Sequence, residues 1–261
     1  MSRNKRKRSE TGIYHVMQRG NERKNVFQDD EDKSRYLETI RQIKQEQRFS
    51  LHAYCLMDNH IHLMIKEGTE EIGKIMKRIA VSYAFYYNQK YKRVGHLFQD
   101  RFKSENVESD GYILSLARYI HQNPVKAGLT ETPSKYRWSS YNEYLSESRS
   151  DILDSEFVIG LFSSNKEKAR SLFIDYMNQD SDEAFMDLLE EEIEMDEDKA
   201  KELYQTMLRN KGIVTGIGEK VKIPDDFIKE FKLKTRLSVR KIAVITGVNK
   251  DKVSKITRNN K

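Results

Sequence analysis

The sequence predicts an α+β fold. It is read as a ferredoxin-like βαββαβ antiparallel sheet with helices on one face, plus an all-α C-terminal extension ending in a helix-turn-helix. Three observations carry this. Short runs of β-branched and aromatic residues alternate with longer stretches whose apolar residues recur at helical spacing. Their order along the first half is strand, helix, strand, strand, helix, strand, helix, the split βαβ order, whose sheet leaves one face free for a ligand. The basic end of the chain, finally, has the alanine, glycine and valine spacing of two short helices crossing at a turn.

Taken in order, Ile13 to Gln18 reads as a strand. Asp30 to about Gln47 reads as a helix, with Tyr36, Ile40 and Ile43 among its apolar positions. Phe49–Leu56 and His60–Ile65 read as strands joined by the turn residues Asp58 and Asn59. Ile72, Ile75, Ile79, Tyr83 and Tyr86 place a helix between Glu70 and about Tyr87. Gly95 to Val107 reads as a strand, and a helix begins near the cap Asp110 and stops at Pro124. The module closes around Trp138-Ser139-Ser140-Tyr141. Residues 166–210 read as helical and acidic, with the run Glu190-Glu191-Glu192, and Gly212, Gly216 and Gly218 mark a loop. In the tail, Ala243 packs where two helices cross, Gly247 permits the turn, and Val253 faces the core with Ile242, Ile245, Val248 and Ile256. Three regions follow: 1–145, an acidic helical linker at 146–220, and the helix-turn-helix segment at 221–261.

Charge follows the same divisions. Residues 1–150 hold 27 Lys+Arg against 19 Asp+Glu, residues 151–220 hold 8 against 18, and residues 221–261 hold 12 against 4. The net charges are therefore +8, −10 and +8, which sum to the +6 of the chain. Two basic modules around an acidic middle suit two nucleic-acid-facing surfaces and a segment kept off phosphates; solvated helix faces would look the same by charge alone. No apolar run reaches the ~18 residues that span a bilayer. The single cysteine, Cys55, excludes an intramolecular disulfide and fits a reducing, cytoplasmic setting, where it reads as a core thiol.

Side chains two apart on a strand share a face, so His60 and His62 point the same way, an arrangement suited to a divalent cation. Tyr119 and Asn123, four apart, share a helix face. Paired histidines are also common as half-buried polar residues. Tyr112, seven residues before Tyr119, is a rival nucleophile on nearly the same face. His15, His96 and His121 are available as further ligands or as ordinary hydrogen-bonded residues.

The chain also resembles a known family, the HUH single-tyrosine (IS200-like) transposases, and within them the REP-associated tyrosine transposases. The resemblance rests on Tyr14-His15-Val16 with Arg19-Gly20-Asn21, on Met57-Asp58-Asn59-His60-Ile61-His62, and on Gly95-His96-Leu97-Phe98-Gln99-Asp100-Arg101-Phe102. It continues with Tyr119-Ile120-His121-Gln122-Asn123-Pro124-Val125-Lys126-Ala127-Gly128 and with Trp138-Ser139-Ser140-Tyr141. These stretches cover residues 12–145. The resemblance implies a nuclease domain with His60 and His62 as metal ligands and Tyr119 as nucleophile. Asn123 stands where relatives carry a metal-holding amide, often the longer Gln. It further implies cleavage and rejoining of single-stranded or hairpin DNA through a 5′-phosphotyrosine, by a monomer or a homodimer.

Two imidazoles and an amide form a neutral ligand set; Mg²⁺ prefers oxygen and Mn²⁺ tolerates imidazole, so either ion is expected, Mn²⁺ the better. Arg19, Arg23, Lys24, Arg101, Lys103, Arg118 and Lys126 are candidate phosphate contacts. Lys250, Lys252 and Lys255 on the second tail helix suit the major groove of duplex DNA, unless the helical hairpin serves protein contact. Phe98, Phe102 and Tyr14 are candidates to stack bases or to fill the core. The basic start of the chain reads as a flexible arm. Two rival functions remain. One is a non-catalytic DNA-binding regulator that retains the fold. The other is a hydrolytic metal nuclease, which would need carboxylates where only Asp58 adjoins the histidines.

Overall fold

The computed structural model describes residues 7–47, 49–179, 183, 185, 197–211, 223–235 and 237–258. By internal contacts the chain divides into two compact units, Met1–Phe185 and Met186–Lys261. The N-terminal Lys/Arg run through residue 6, the Glu190–Glu192 run and the glycines at 212, 216 and 218 lie outside the described residues.

The first unit is built on a four-stranded antiparallel sheet. Its strands are β1 (Ile13–Arg19), β2 (Ser50–Leu56), β3 (His60–Lys66) and β4 (Lys103–Asn106), in the order β2-β3-β1-β4. Three helices belong to the same pattern: α1 (Asp30–Gln47), α2 (Ile72–Lys90) and α3 (Asp110–Lys126). This is the α+β arrangement expected from the element order. The central strands are buried on both faces: Ile61, Leu63 and Ile65 point one way, His62 and Met64 the other, and all are fully buried. The histidine face is covered rather than bare, because α3 lies against β2 and β3. Helices α1 and α2 pack on each other, with Tyr36 and Tyr83 meeting edge to face at 5.1 Å.

Two elements differ from the sequence reading. The strand expected over 95–107 is only Lys103–Asn106. Gly95 has φ +102°, and the polar run Gln99-Asp100-Arg101 has no apolar alternation to hold a ladder, so the chain loops past the end of β1 with one bridge, Phe98 to Gly20. Helix α3 continues through Pro124 to Lys126. A proline near the C-terminal end removes one intrahelical bond and is tolerated there, and the helix then closes on Gly128, whose φ of +69° is the left-handed stop. At its start Ser109 caps α3, its Oγ accepting from Tyr112 N.

Two devices hold the sheet around the histidines. Register shifts in β2 between Leu51 and Ala53, so that Ala53 and Cys55 stand opposite Met64 and His62. Trp138-Ser139-Ser140 covers the outer edge of β2 with backbone bonds to Leu56 and Tyr54. Helices α4 (Tyr141–Leu145), α5 (Ser155–Gly160) and α6 (Lys166–Met177) complete the first unit, and α6 meets α3.

The second unit is helical: α7 (Glu197–Asn210), α8 (Asp225–Thr235), α9 (Val239–Thr246) and α10 (Lys250–Arg258). Tyr204, Phe227, Phe231, Ile242, Val253 and Ile256 meet in its core, with Ala243, Ile245 and Val248 packed against it. Gly247, at φ +68°, turns the chain between α9 and α10. Among the described residues no helix is long and apolar enough to cross a membrane.

Candidate active site

Register assembles the strand side of the site. In the β1–β3 ladder Arg19 faces His60, Met17 faces His62 and His15 faces Met64. His15 and His62 are therefore diagonal neighbours on one face, and Nε2 of His15 lies 3.2 Å from Nδ1 of His62. The His60 and His62 rings stand at 89° with centroids 4.9 Å apart. Nδ1 of His60 is 2.6 Å from Oδ1 of Asn59; as the acceptor is a carbonyl oxygen, the imidazole donates from Nδ1.

The turn supporting His60 is braced by the loop after β1. Gly20 N donates to Asn59 O, and Val26 N and Phe27 N both donate to Asp58 O. A Cβ on Gly20 would lie 2.0 Å from Lys24 O, so only glycine fits. The Asp58 carboxylate is held by Lys33 at 2.7 Å and serves the turn.

Helix α3 supplies the other side. The Tyr119 ring meets His62 at 5.7 Å and His15 at 6.0 Å, edge-on to both, and is only 4 % exposed. Asn123, one turn further, is buried, and its Nδ2 donates to Tyr119 O. Lys126 Nζ stands 5.5 Å over the Tyr119 ring. Burial, then the neighbouring His60, His15 and Arg19, hold the His62 imidazole well below its usual pKa, so it is a neutral donor at physiological pH.

Among the described residues no group of three or more His, Cys, Asp or Glu is arranged to hold a metal ion. The donor set here is of another kind, the imidazoles of His60 and His62 with the Asn123 amide one turn beyond Tyr119 on the covering helix. It fits a divalent ion that keeps open positions for water and phosphate oxygens.

The other candidate residues are spread more widely. Arg19 and Lys103 flank the histidine face, and Lys103 is pushed down by burial and then by Arg19. Arg23, Lys24 and Arg101 are exposed, and Lys24 pairs with Glu22 at 2.8 Å. Arg118 differs from the sequence reading. It is buried, 4.3 Å over the Tyr176 ring and 3.5 Å from Glu183, so its charge faces protein. His121 is a core residue bonded to Ser140 Oγ at 2.8 Å, and burial pushes it down to about 3. His96 is exposed, while Tyr14, Phe98 and Phe102 are core. In the second unit Lys250, Lys252 and Lys255 are exposed, with Lys252 3.6 Å from Asp225.

Sequence reasoning missed two residues. Asn59 orients His60 and was read only as turn chemistry; its adjacency was the available signal. Phe185 stacks on Tyr119 with centroids 4.3 Å apart and planes at 28°. Nothing local in the acidic stretch marks it.

Fold and cluster together define a class: an α+β domain with paired histidines on a central strand facing a tyrosine on a covering helix. Residues 9–123 match the model of the family described as "Transposase IS200 like". Among solved structures, the chain is similar to a REP-associated tyrosine transposase bound to a REP hairpin. That match has 18 % identity and a TM-score of 0.47, over 59 % of this chain and 94 % of that one. It is also similar to a candidate transposase from Deinococcus radiodurans R1, at 19 % identity and a TM-score of 0.34, over 46 % of this chain and 97 % of that one. No curated protein matches the chain.

Proposed function

We propose that the chain is a metal-dependent DNA transposase and endonuclease that cleaves and rejoins single-stranded or hairpin DNA through Tyr119. The observation that carries this is the placement of the Tyr119 ring within 6.0 Å of the His62 and His15 rings, in a domain that matches the IS200-like family model. A tyrosine of ordinary pKa, about 10, is a weak nucleophile at neutral pH, so the site must supply charge stabilisation.

His60 and His62, through Nε2, and Asn123, through Oδ1, would hold Mg²⁺ or Mn²⁺. When bound, the ion would polarise the scissile phosphate and offset charge in the transition state. The phenolic oxygen of Tyr119 attacks phosphorus and the bond to the 3′ oxygen breaks. The phenolic proton passes to solvent, and the leaving 3′ oxygen takes one up. The products are a 5′-phosphotyrosine and a free 3′-hydroxyl. Because a phosphodiester replaces a phosphodiester, a later 3′-hydroxyl can rejoin strands without ATP. Lys126 and Arg19 are assigned to phosphate oxygens at either side of the cluster.

In this reading residues 1–145 are the catalytic domain, 146–220 an acidic helical region, and 221–261 a helix-turn-helix that grips duplex DNA through Lys250, Lys252 and Lys255. The test incubates purified protein with Mn²⁺ or Mg²⁺ and labelled hairpin DNA from repeats flanking its gene. A denaturation-resistant protein–DNA adduct is expected, lost in Tyr119→Phe and in His60→Ala. Hairpin binding with no adduct under either ion overturns the enzymatic reading in favour of a DNA-binding regulator.

A further inference from the structure

Tyr112 and Tyr119 lie two turns apart on one face of α3, separated along the axis by about 10.5 Å at ~1.5 Å per residue. One flat ring fills that interval. Phe185 is parallel to Tyr112, with centroids 5.7 Å apart and planes at 3°, and stacks on Tyr119 at 4.3 Å. Its edge meets His15 at 6.2 Å, and it is 2 % exposed. An aromatic ring between two others is the arrangement in which proteins hold unpaired bases.

We propose that Tyr112 and Tyr119 form a slot for one unpaired nucleobase of the DNA, and that Phe185 holds this slot in the DNA-free protein. The proposal rests on the reading of Tyr119 as nucleophile of a DNA-cleaving site. Its surroundings resemble a nucleotide's. Glu183 places a carboxylate 3.5 Å from Arg118, whose guanidinium is packed on Tyr176 of α6. Gln122 Nε2 donates to Met177 O at 2.6 Å, fixing the end of α6 to α3. Lys126, with Nζ 5.5 Å from the centre of the Tyr119 ring, offers the cation a flanking phosphate would take.

Phe185 lies on the Tyr119 ring, and Tyr119 is 4 % exposed. Phe185 and the DNA therefore compete for one place. A strand that supplies an unpaired base displaces the phenylalanine and stacks on the Tyr119 ring in its place; a paired duplex has no base to offer. The slot thus selects unpaired DNA.

The experiment uses the full chain. Binding is measured in the Tyr119→Phe background, which keeps the ring and removes the chemistry, with a labelled single-stranded oligonucleotide from the flanking repeat and a series carrying single abasic sites. Phe185→Ala is expected to tighten binding about tenfold, one stacking interaction no longer competed away. Adding Tyr112→Ala is expected to cancel the gain, as is one abasic position in the series. Phe185→Leu, which keeps bulk without a flat ring, is expected to fall between. Separately, nitration of Tyr119 by tetranitromethane in the otherwise unchanged protein is expected to rise several-fold in Phe185→Ala and to fall again with the oligonucleotide bound. Unchanged affinity and nitration in both folded Phe185 variants overturn the proposal. So does a gain that every abasic oligonucleotide shares. Increased nitration and base-dependent binding without any adduct in the Tyr119 protein would instead overturn the catalytic reading and leave the slot standing.

Discussion

The two units bury polar groups very differently. In the helical C-terminal unit, the buried polar side chains among the described residues are Thr235 and Thr246. Each hydroxyl is spent on the carbonyl one turn back in its own helix, Phe231 O and Ile242 O, at 2.7 Å. The N-terminal unit buries His15, His52, His60, His62, His121, Arg118 and Asn123. Burying a polar group costs about 1–3 kcal/mol unless it is well paired. A core that accepts that cost repeatedly is not optimised for stability alone. His121 and His52 are anchored to Ser140 Oγ and Asp154 O as core histidines. His15, His60 and His62 instead contact one another around a tyrosine. Mutual clustering, and not burial, separates the candidate site from ordinary core.

This contrast can be sharpened from its largest consequence downward. Tyr119→Phe should lower the rate of adduct formation by roughly 10⁴-fold or more while changing stability by less than ~1 kcal/mol. Single-turnover gels and urea unfolding measure the two sides, and a large stability loss would return Tyr119 to the core. Phe231→Ala, in the hydrophobic core of the second unit, should do the opposite. It should cost that unit about 3–5 kcal/mol in calorimetry and leave adduct formation on hairpin DNA within about twofold.

Acid should destabilise the first unit through its buried histidines. His121 is held down to about 3 by burial against an ordinary 6.5, so the unfolded chain binds the proton first. Stability is then unaffected above about pH 6.5 and falls as the pH drops toward 3, at up to ~1.4 kcal/mol per pH unit. His52 and His62, also lowered mainly by burial, act in the same sense. Urea titrations between pH 7 and 5 should show a shallower slope in His121→Gln than in the parent. The smallest effect concerns the helix that carries the tyrosine. Ser109→Ala removes the bond to Tyr112 N that caps α3 and should cost about 1 kcal/mol, read as a small Tm shift with Tyr119 chemistry intact.

Local pattern was enough to read much of this molecule. Alternation and helical spacing placed β1, α1, β2, β3 and α2 close to their observed spans. The two-residue period puts His60 and His62 on one face, and the four-residue period does the same for Tyr119 and Asn123. Such periods express backbone geometry, which the chain carries in every environment. Where local pattern was weak, the reading slipped: β4 is shorter than expected because its neighbours lack alternation, and α3 runs past Pro124 because its last turn does not need that bond.

Tertiary structure alone decided the rest. That His15 is the diagonal neighbour of His62 depends on strand register. Arg118 faces Tyr176 and Glu183 rather than solvent because α6 packs on α3. Phe185 lies over Tyr119 because a distant segment returns to the helix. These are contacts between residues far apart in the chain, made only when the fold closes, and no periodicity along the sequence encodes them.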